Sequence, residues 1–146
     1  MTYISIEEVA ELCHEANRAL CVAAGDLLQL PWKDAEIWQR EAAISGVCFH
    51  LDPVNDDPEK AHLNWCQQKQ SDGWCYGAIK DAVLKHHPCL VPYEQLPVID
   101  RAKDLVFVSI VRTLRSKVAR HFDAVSLSND GNDISGNDIM VGKHNA

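Results

Sequence analysis

Gly73-Trp74-Cys75-Tyr76-Gly77-Ala78-Ile79-Lys80-Asp81-Ala82-Val83-Leu84-Lys85-His86-His87-Pro88-Cys89-Leu90-Val91-Pro92-Tyr93-Glu94-Gln95-Leu96-Pro97 is the stretch whose reading decides the fold. Aromatic, basic and proline residues crowd into one short, non-repetitive segment. Pro88, Pro92 and Pro97 each remove a backbone donor and disfavour helix just before them, so 87–97 is expected to be irregular. Ser71-Asp72-Gly73 turns the chain, Trp74-Cys75-Tyr76 reads as a short strand, and residues 79–86 read as a short helix.

Working outward, His62-Leu63-Asn64-Trp65 lies upstream and Arg101-Ala102-Lys103-Asp104 opens a helix downstream. In that order His62, Trp65, Gly73-Trp74, Tyr76-Gly77, Lys80-Asp81, His87 to Tyr93, Leu96-Pro97 and Asp104 resemble the RyR domain, the repeat named after ryanodine receptors. The domain also occurs singly in bacterial and phage proteins. The resemblance covers roughly residues 55–120. His14-Glu15-Ala16-Asn17-Arg18 and Trp38-Gln39-Arg40-Glu41 look, more loosely, like the helical portion that accompanies it in small phage and bacterial proteins. The chain departs from the family pattern at Leu63, where Glu is common, at Ala78, where Pro is usual, and at Lys80, where Arg is common. Lys80 keeps the charge and loses the planar fork.

The flanking segments read as helices. Ser5-Ile6-Glu7-Glu8 is a capping box, and the helix it opens carries Ile6, Val9, Ala10, Cys13, Ala16 and Leu20 on one face until Gly25 closes it. Pro31-Trp32 breaks the chain. A second helix over 34–51 is expected to turn Ile37, Trp38, Ile44, Cys48 and Phe49 inward. Asp52 to Pro58 is a loop by composition, and Pro58 suits a helix start running to about Gln70. A final helix over 99–121 carries Val106, Phe107, Ile110, Val111, Leu114 and Val118 in a stripe wider than one packing face requires. That stripe reads as a central core helix or as one that also borders a partner. The fold class is therefore mainly α, with one or two very short strands. Three segments result: an N-terminal helical part over 1–54 packing on the core, the RyR-like domain over 55–121, and a flexible polar tail over 122–146, rich in Asp, Asn, Ser and Gly.

A length of 146 residues fits one domain. A hydrophobic fraction of 47% with 24% charged residues describes an ordinary globular protein. The net charge of −7 argues against sequence-independent DNA or RNA binding, which needs clustered cations. A compact nucleotide needs only one local basic pocket. The six cysteines form no CxxC pair and read as small apolar side chains. The N-terminal residues lack a signal pattern, and no run reaches the roughly 20 apolar residues of a spanning helix, so a cytoplasmic protein is expected, in the host cytoplasm if viral.

Trp74 and Tyr76, two apart in a strand, share a face. With Trp65, and beside Lys80 and Lys85, they suit a purine nucleotide: rings stack on the base and ammonium groups meet phosphate. Each residue has a plainer reading. Trp65 and Trp74 fit a core, Lys80 and Lys85 fit a solvated surface, and Asp81 fits a cap. His87 and Tyr93 flank a rigid Pro-framed loop that serves a binding site or a tight corner. Asp104 suits the positive end of a helix dipole, or else a ribose hydroxyl. His86-His87-Pro88-Cys89 clusters metal-ligating types without the second spaced pair of structural zinc. Asp130-Gly131-Asn132-Asp133 fails the EF-hand spacing. No catalytic constellation and no cofactor motif is recognisable.

The reading from sequence is a non-enzymatic module binding a nucleotide or cyclic dinucleotide through Trp65, Trp74, Tyr76, Lys80, Lys85, His87 and Tyr93. The resemblance implies adenine-nucleotide binding, as in the receptors, or sensing of nucleotide-derived signals. A small phage-like member suggests a sponge that sequesters host immune signals. Receptor repeats come in tandem pairs, so a homodimer is expected to restore the pair. The alternative is a protein–protein adaptor that grips a peptide with the same aromatic face.

Overall fold

The computed structural model describes residues 2–119, so the expected tail over 122–146 and its Asp130 to Asp133 segment lie outside the described residues. The fold is mainly α. Helix α1 (Ile6–Ala23) starts at the expected capping box: the Ser5 hydroxyl accepts from the Glu8 amide at 3.1 Å and Glu8 accepts from the Ser5 amide at 2.8 Å. It stops where Gly25 takes φ 88°, a left-handed value that glycine adopts without strain. A single 3-10 turn (Trp32–Asp34) leads into α2 (Ile37–His50), and a second (Pro53–Asn55) into α3 (Pro58–Ser71). Asp57 caps α3 by accepting from the Glu59 amide, with Pro58 at its first position.

Helix α4 (Val98–Leu114) is the hub: it packs against α1, α2 and α3. That accounts for its broad apolar stripe. Phe107 and Val111 join Val9, Ala10, Cys13 and Val47 in the larger core, while Ile110 and Leu114 pack at its edge. The Cys13 thiol sits 4.0 Å from the Phe107 carbonyl, and burial pushes its pKa up to about 12. A smaller core joins Trp65, Cys89 and Leu96 beneath the proline-rich loop.

Two expectations about the helices are corrected. In α2 the buried positions are Gln39, Ala42, Ala43, Gly46, Val47 and His50, whereas Ile37 and Trp38 are 66% and 49% exposed and Cys48 is exposed. The face that packs combines the small Ala42, Ala43 and Gly46 with Gln39, Val47 and His50, so it is not the one with the most apolar bulk. The last helix ends at Leu114 instead of reaching 121, and a 3-10 turn (Arg115–Lys117) follows. Arg115 is held there by the Asp56 carboxylate and by the His50 carbonyl at 2.8 Å. The turn leaves Val118 extended, in a parallel bridge with Ile4, so the N-terminal segment is bonded beside the end of the last helix.

Candidate functional site

The Gly73–Pro97 stretch is organised by its glycines, Asp81 and the histidines. Gly73 (φ 86°) ends α3 in a Schellman motif: its amide bonds Gln70 and the next amide, Trp74, bonds Lys69. This reversal lays the Trp74 ring under Lys69, whose ammonium lies 4.7 Å from the ring centroid. In such caps the residues at these two positions usually meet through an apolar contact; here a cation–π pair fills the place.

Strand β1 (Cys75–Tyr76) pairs in parallel with β2 (His86–His87). Between them there is no short helix over 79–86. The Asp81 carboxylate takes the amides of Val83 and Leu84, both at 2.9 Å, and Asp81 and His86 exchange backbone bonds. Lys85 then adopts φ 55° and the chain returns to the ladder. Asp81 does cap, but it caps a turn. The loop leaves Ile79, Val83 and Leu84 at 81%, 92% and 63% exposure. Gly77 is required at its place, since a Cβ there would lie 2.4 Å from the His86 side chain.

The structure divides the residues singled out from sequence. Trp65 is 1% exposed and belongs to the core, with its ring edge-on to His87 at 4.9 Å between centroids. His87 is buried too, and its Nδ1 accepts from the Cys89 amide at 3.0 Å, stiffening the Pro88 corner. The Lys85 ammonium bonds the Asp72 carbonyl at 2.6 Å, closing the end of α3. Tyr76 is exposed. Tyr93 lies elsewhere, on a groove described below. Trp65, His87 and Lys85 thus have structural work, and the seven residues do not form one pocket.

Trp74 remains half-buried, edge-on to His87 at 6.3 Å. Lys80 is half-buried nearby, and burial lowers its ammonium pKa, with the Lys69 charge adding to the effect. Sequence reasoning missed Lys69. The signal was present: in Lys69-Gln70-Ser71-Asp72-Gly73-Trp74 a helix-ending glycine predicts contact between the residue four before it and the residue after it. Lys69 thus lies over the Trp74 indole and within electrostatic reach of the Lys80 ammonium.

A groove of about 390 Å³ lies between α3 and the loop over 90–94. His62 and Cys66 form part of its floor, and Tyr93 part of its wall. The His62 Nε2 donates to the Val91 carbonyl at 2.6 Å, and the Cys66 sulfur is 3.3 Å from the same nitrogen. On α4, Asp100, Lys103 and Asp104 are all buried, with Lys103 and Asp104 at 4% and 1% exposure. Lys103 pairs with Asp100 at 3.7 Å. Asp104 is thus part of the domain interior and is not open to a ribose.

These features coincide with a family comparison. The RyR domain family model matches residues 52–121, a little under half of the chain. The chain carries a RyR domain. The match starts in the turn before α3 and takes in the whole Gly73–Pro97 stretch together with α4 of the RyR domain. No solved structure matches the chain significantly. Among the described residues, no helix is long and apolar enough to cross a membrane.

Proposed function

We propose that this RyR-domain protein is a non-enzymatic binder of a nucleotide or nucleotide-derived messenger, held at the face made by Lys69, Trp74 and Lys80. The observation that carries the reading is the pairing of Lys69 with Trp74 beside a second, half-buried ammonium. An anion placed there offsets the repulsion between two lysines, and a base has an aromatic surface to lie against. The cap geometry holds Trp74 in position in advance, which lowers the ordering cost of binding. The exposed Ile79, Val83 and Leu84 loop borders this face and supplies apolar contact. In this reading the chain binds a messenger without turning it over and so sequesters it, as a phage protein directed at host immune signalling would. The reading includes a homodimer, with the exposed Val98 and Leu105 of α4 as contact positions.

Thermal unfolding against mono-, di- and cyclic nucleotides and ADP-ribose tests the proposal. A ligand near 100 times its Kd stabilises by about 2.7 kcal/mol, a shift of several degrees. The shift is expected to vanish in Trp74→Ala and in Lys80→Ala with both variants folded. No shift with any compound, or a shift that survives both substitutions, overturns it. Light scattering with and without ligand checks the dimer.

A further inference from the structure

We propose that the groove between α3 and the 90–94 loop is a second binding site, one that takes an extended peptide segment carrying a basic side chain beside an apolar one. The groove is lined along α3 from Glu59 to Gln70. At 1.5 Å per residue that face is about 16 Å long, room for about five residues of extended chain.

Its chemistry is divided along that length. Leu63, 57% exposed, and the opposing Val91 and Pro92 offer apolar surface. Gln67 and Gln70, both exposed on the same side, carry amides that donate and accept, as a peptide backbone requires. Glu59 and Glu94, one on each wall, are exposed carboxylates, and among the described residues neither Lys nor Arg lines the groove. The negative field reaches Tyr93: its phenol is pushed up first by burial and then by Asp104, with Asp57 and Glu59 adding and Arg101 opposing. A phosphate is repelled here, and a cationic side chain is attracted. This is the reverse of the charge at Lys69, Trp74 and Lys80. The His62 bond to Val91 fixes the two walls relative to each other, so the groove exists before any occupant arrives.

The inference is independent of nucleotide binding and is tested separately. Fluorescein-labelled pentapeptide mixtures, each with one position fixed as Arg, Glu or Leu and the others varied, are titrated against the intact protein by fluorescence polarisation. Arg-fixed and Leu-fixed mixtures are expected to bind at least about ten-fold more tightly than Glu-fixed ones, and to weaken with salt as partly exposed charges do. Leu63→Glu and the double variant Glu59→Lys, Glu94→Lys are expected to abolish binding. These side chains are exposed, so thermal unfolding should hardly change. Amide shifts in an NMR titration are expected at Leu63, Val91 and Tyr93 and not at Trp74. Absence of binding by every mixture, equal binding of Glu-fixed and Arg-fixed mixtures, or binding that survives Leu63→Glu overturns the proposal. So does displacement of the peptide by nucleotide, which would merge the two sites.

Discussion

His62 donates from Nε2 to the Val91 carbonyl at 2.6 Å, joining α3 to the proline-framed loop 29 residues further on. A carbonyl can only accept, so the bond fixes the tautomer: this nitrogen carries the proton. The same ring stacks on Trp65 at 5.9 Å and meets Tyr93 at 6.0 Å, so one side chain organises the small core and one wall of the groove.

Replacing it should therefore loosen that core. His62→Ala is expected to destabilise by about 2–3 kcal/mol, through the lost bond and lost ring packing. Urea unfolding should show a lower midpoint with helical circular dichroism retained before the transition. An unchanged midpoint would show that the loop holds itself.

Gly77 is tested by the smallest possible change. Gly77→Ala puts a methyl 2.4 Å from the His86 side chain. The ladder between β1 and β2 must shift, at a cost of about 1–3 kcal/mol. Hydrogen exchange at the Cys75 and His86 amides should accelerate more than at Val111, in the larger core.

Trp65 within α3 and Trp74 after the Gly73 turn separate core from surface. Trp65→Ala should cost about 3–5 kcal/mol, the range for a buried aromatic. Trp74→Ala, half-buried, should cost clearly less. Equal losses in thermal unfolding would return Trp74 to the core and remove it from the proposed nucleotide face.

His50 makes stability depend on pH. It is fully buried, its Nδ1 lies 2.7 Å from the Asn55 carbonyl, and its Nε2 is buried with no hydrogen-bond partner. Burial is the largest effect and lowers its pKa below 6.5; Arg115 acts in the same direction, against the Asn55 bond and Asp56. The folded state thus prefers the neutral ring, while the unfolded chain takes up a proton near 6.5. Its contribution is complete above that pH and is lost as pH falls through the lower folded value, by at most about 1.4 kcal/mol per pH unit. Urea titrations at pH 7.5 and 5.5 should differ in this direction, and His50→Gln should reduce the difference.

Lys80 gives the proposed nucleotide site a pH signature. Burial, and then Lys69, lowers its pKa from 10.5, so the ammonium is lost earlier than in a solvated lysine. Affinity for a phosphate-bearing ligand should fall as pH rises toward that value, and Lys80→Arg should hold it level. Calorimetric titration at two alkaline pH values reads the difference.

Much of the fold was legible because local signals agree with one another: the Ser5–Glu8 box, Pro58 after Asp57, and Gly73 after a helix. Apolar bulk points to the wrong face of α2, because Ala42, Ala43 and Gly46 pack by being small. The 79–86 segment is ambiguous in sequence because Asp81 can cap a helix or a turn, and only the β1–β2 pairing decides. The residues that mark the family divide in the same way. His62, Trp65, Gly73, Gly77, Asp81 and His87 each have a packing or backbone duty, so their regular spacing encodes a shape. Trp65 and Trp74 look alike in sequence; the reversal at Gly73 turns one inward and the other to meet Lys69.

The contact between Cys13 and Phe107 spans 94 residues. On a ribosome adding about 5–20 residues per second, α1 waits for roughly 5–20 s before α4 exists to cover it. During that interval Val9, Ala10 and Cys13 can be shielded by Trp32 and α2, or by a chaperone. Shortening or slowing synthesis within α4 should therefore harm the first helix before the last.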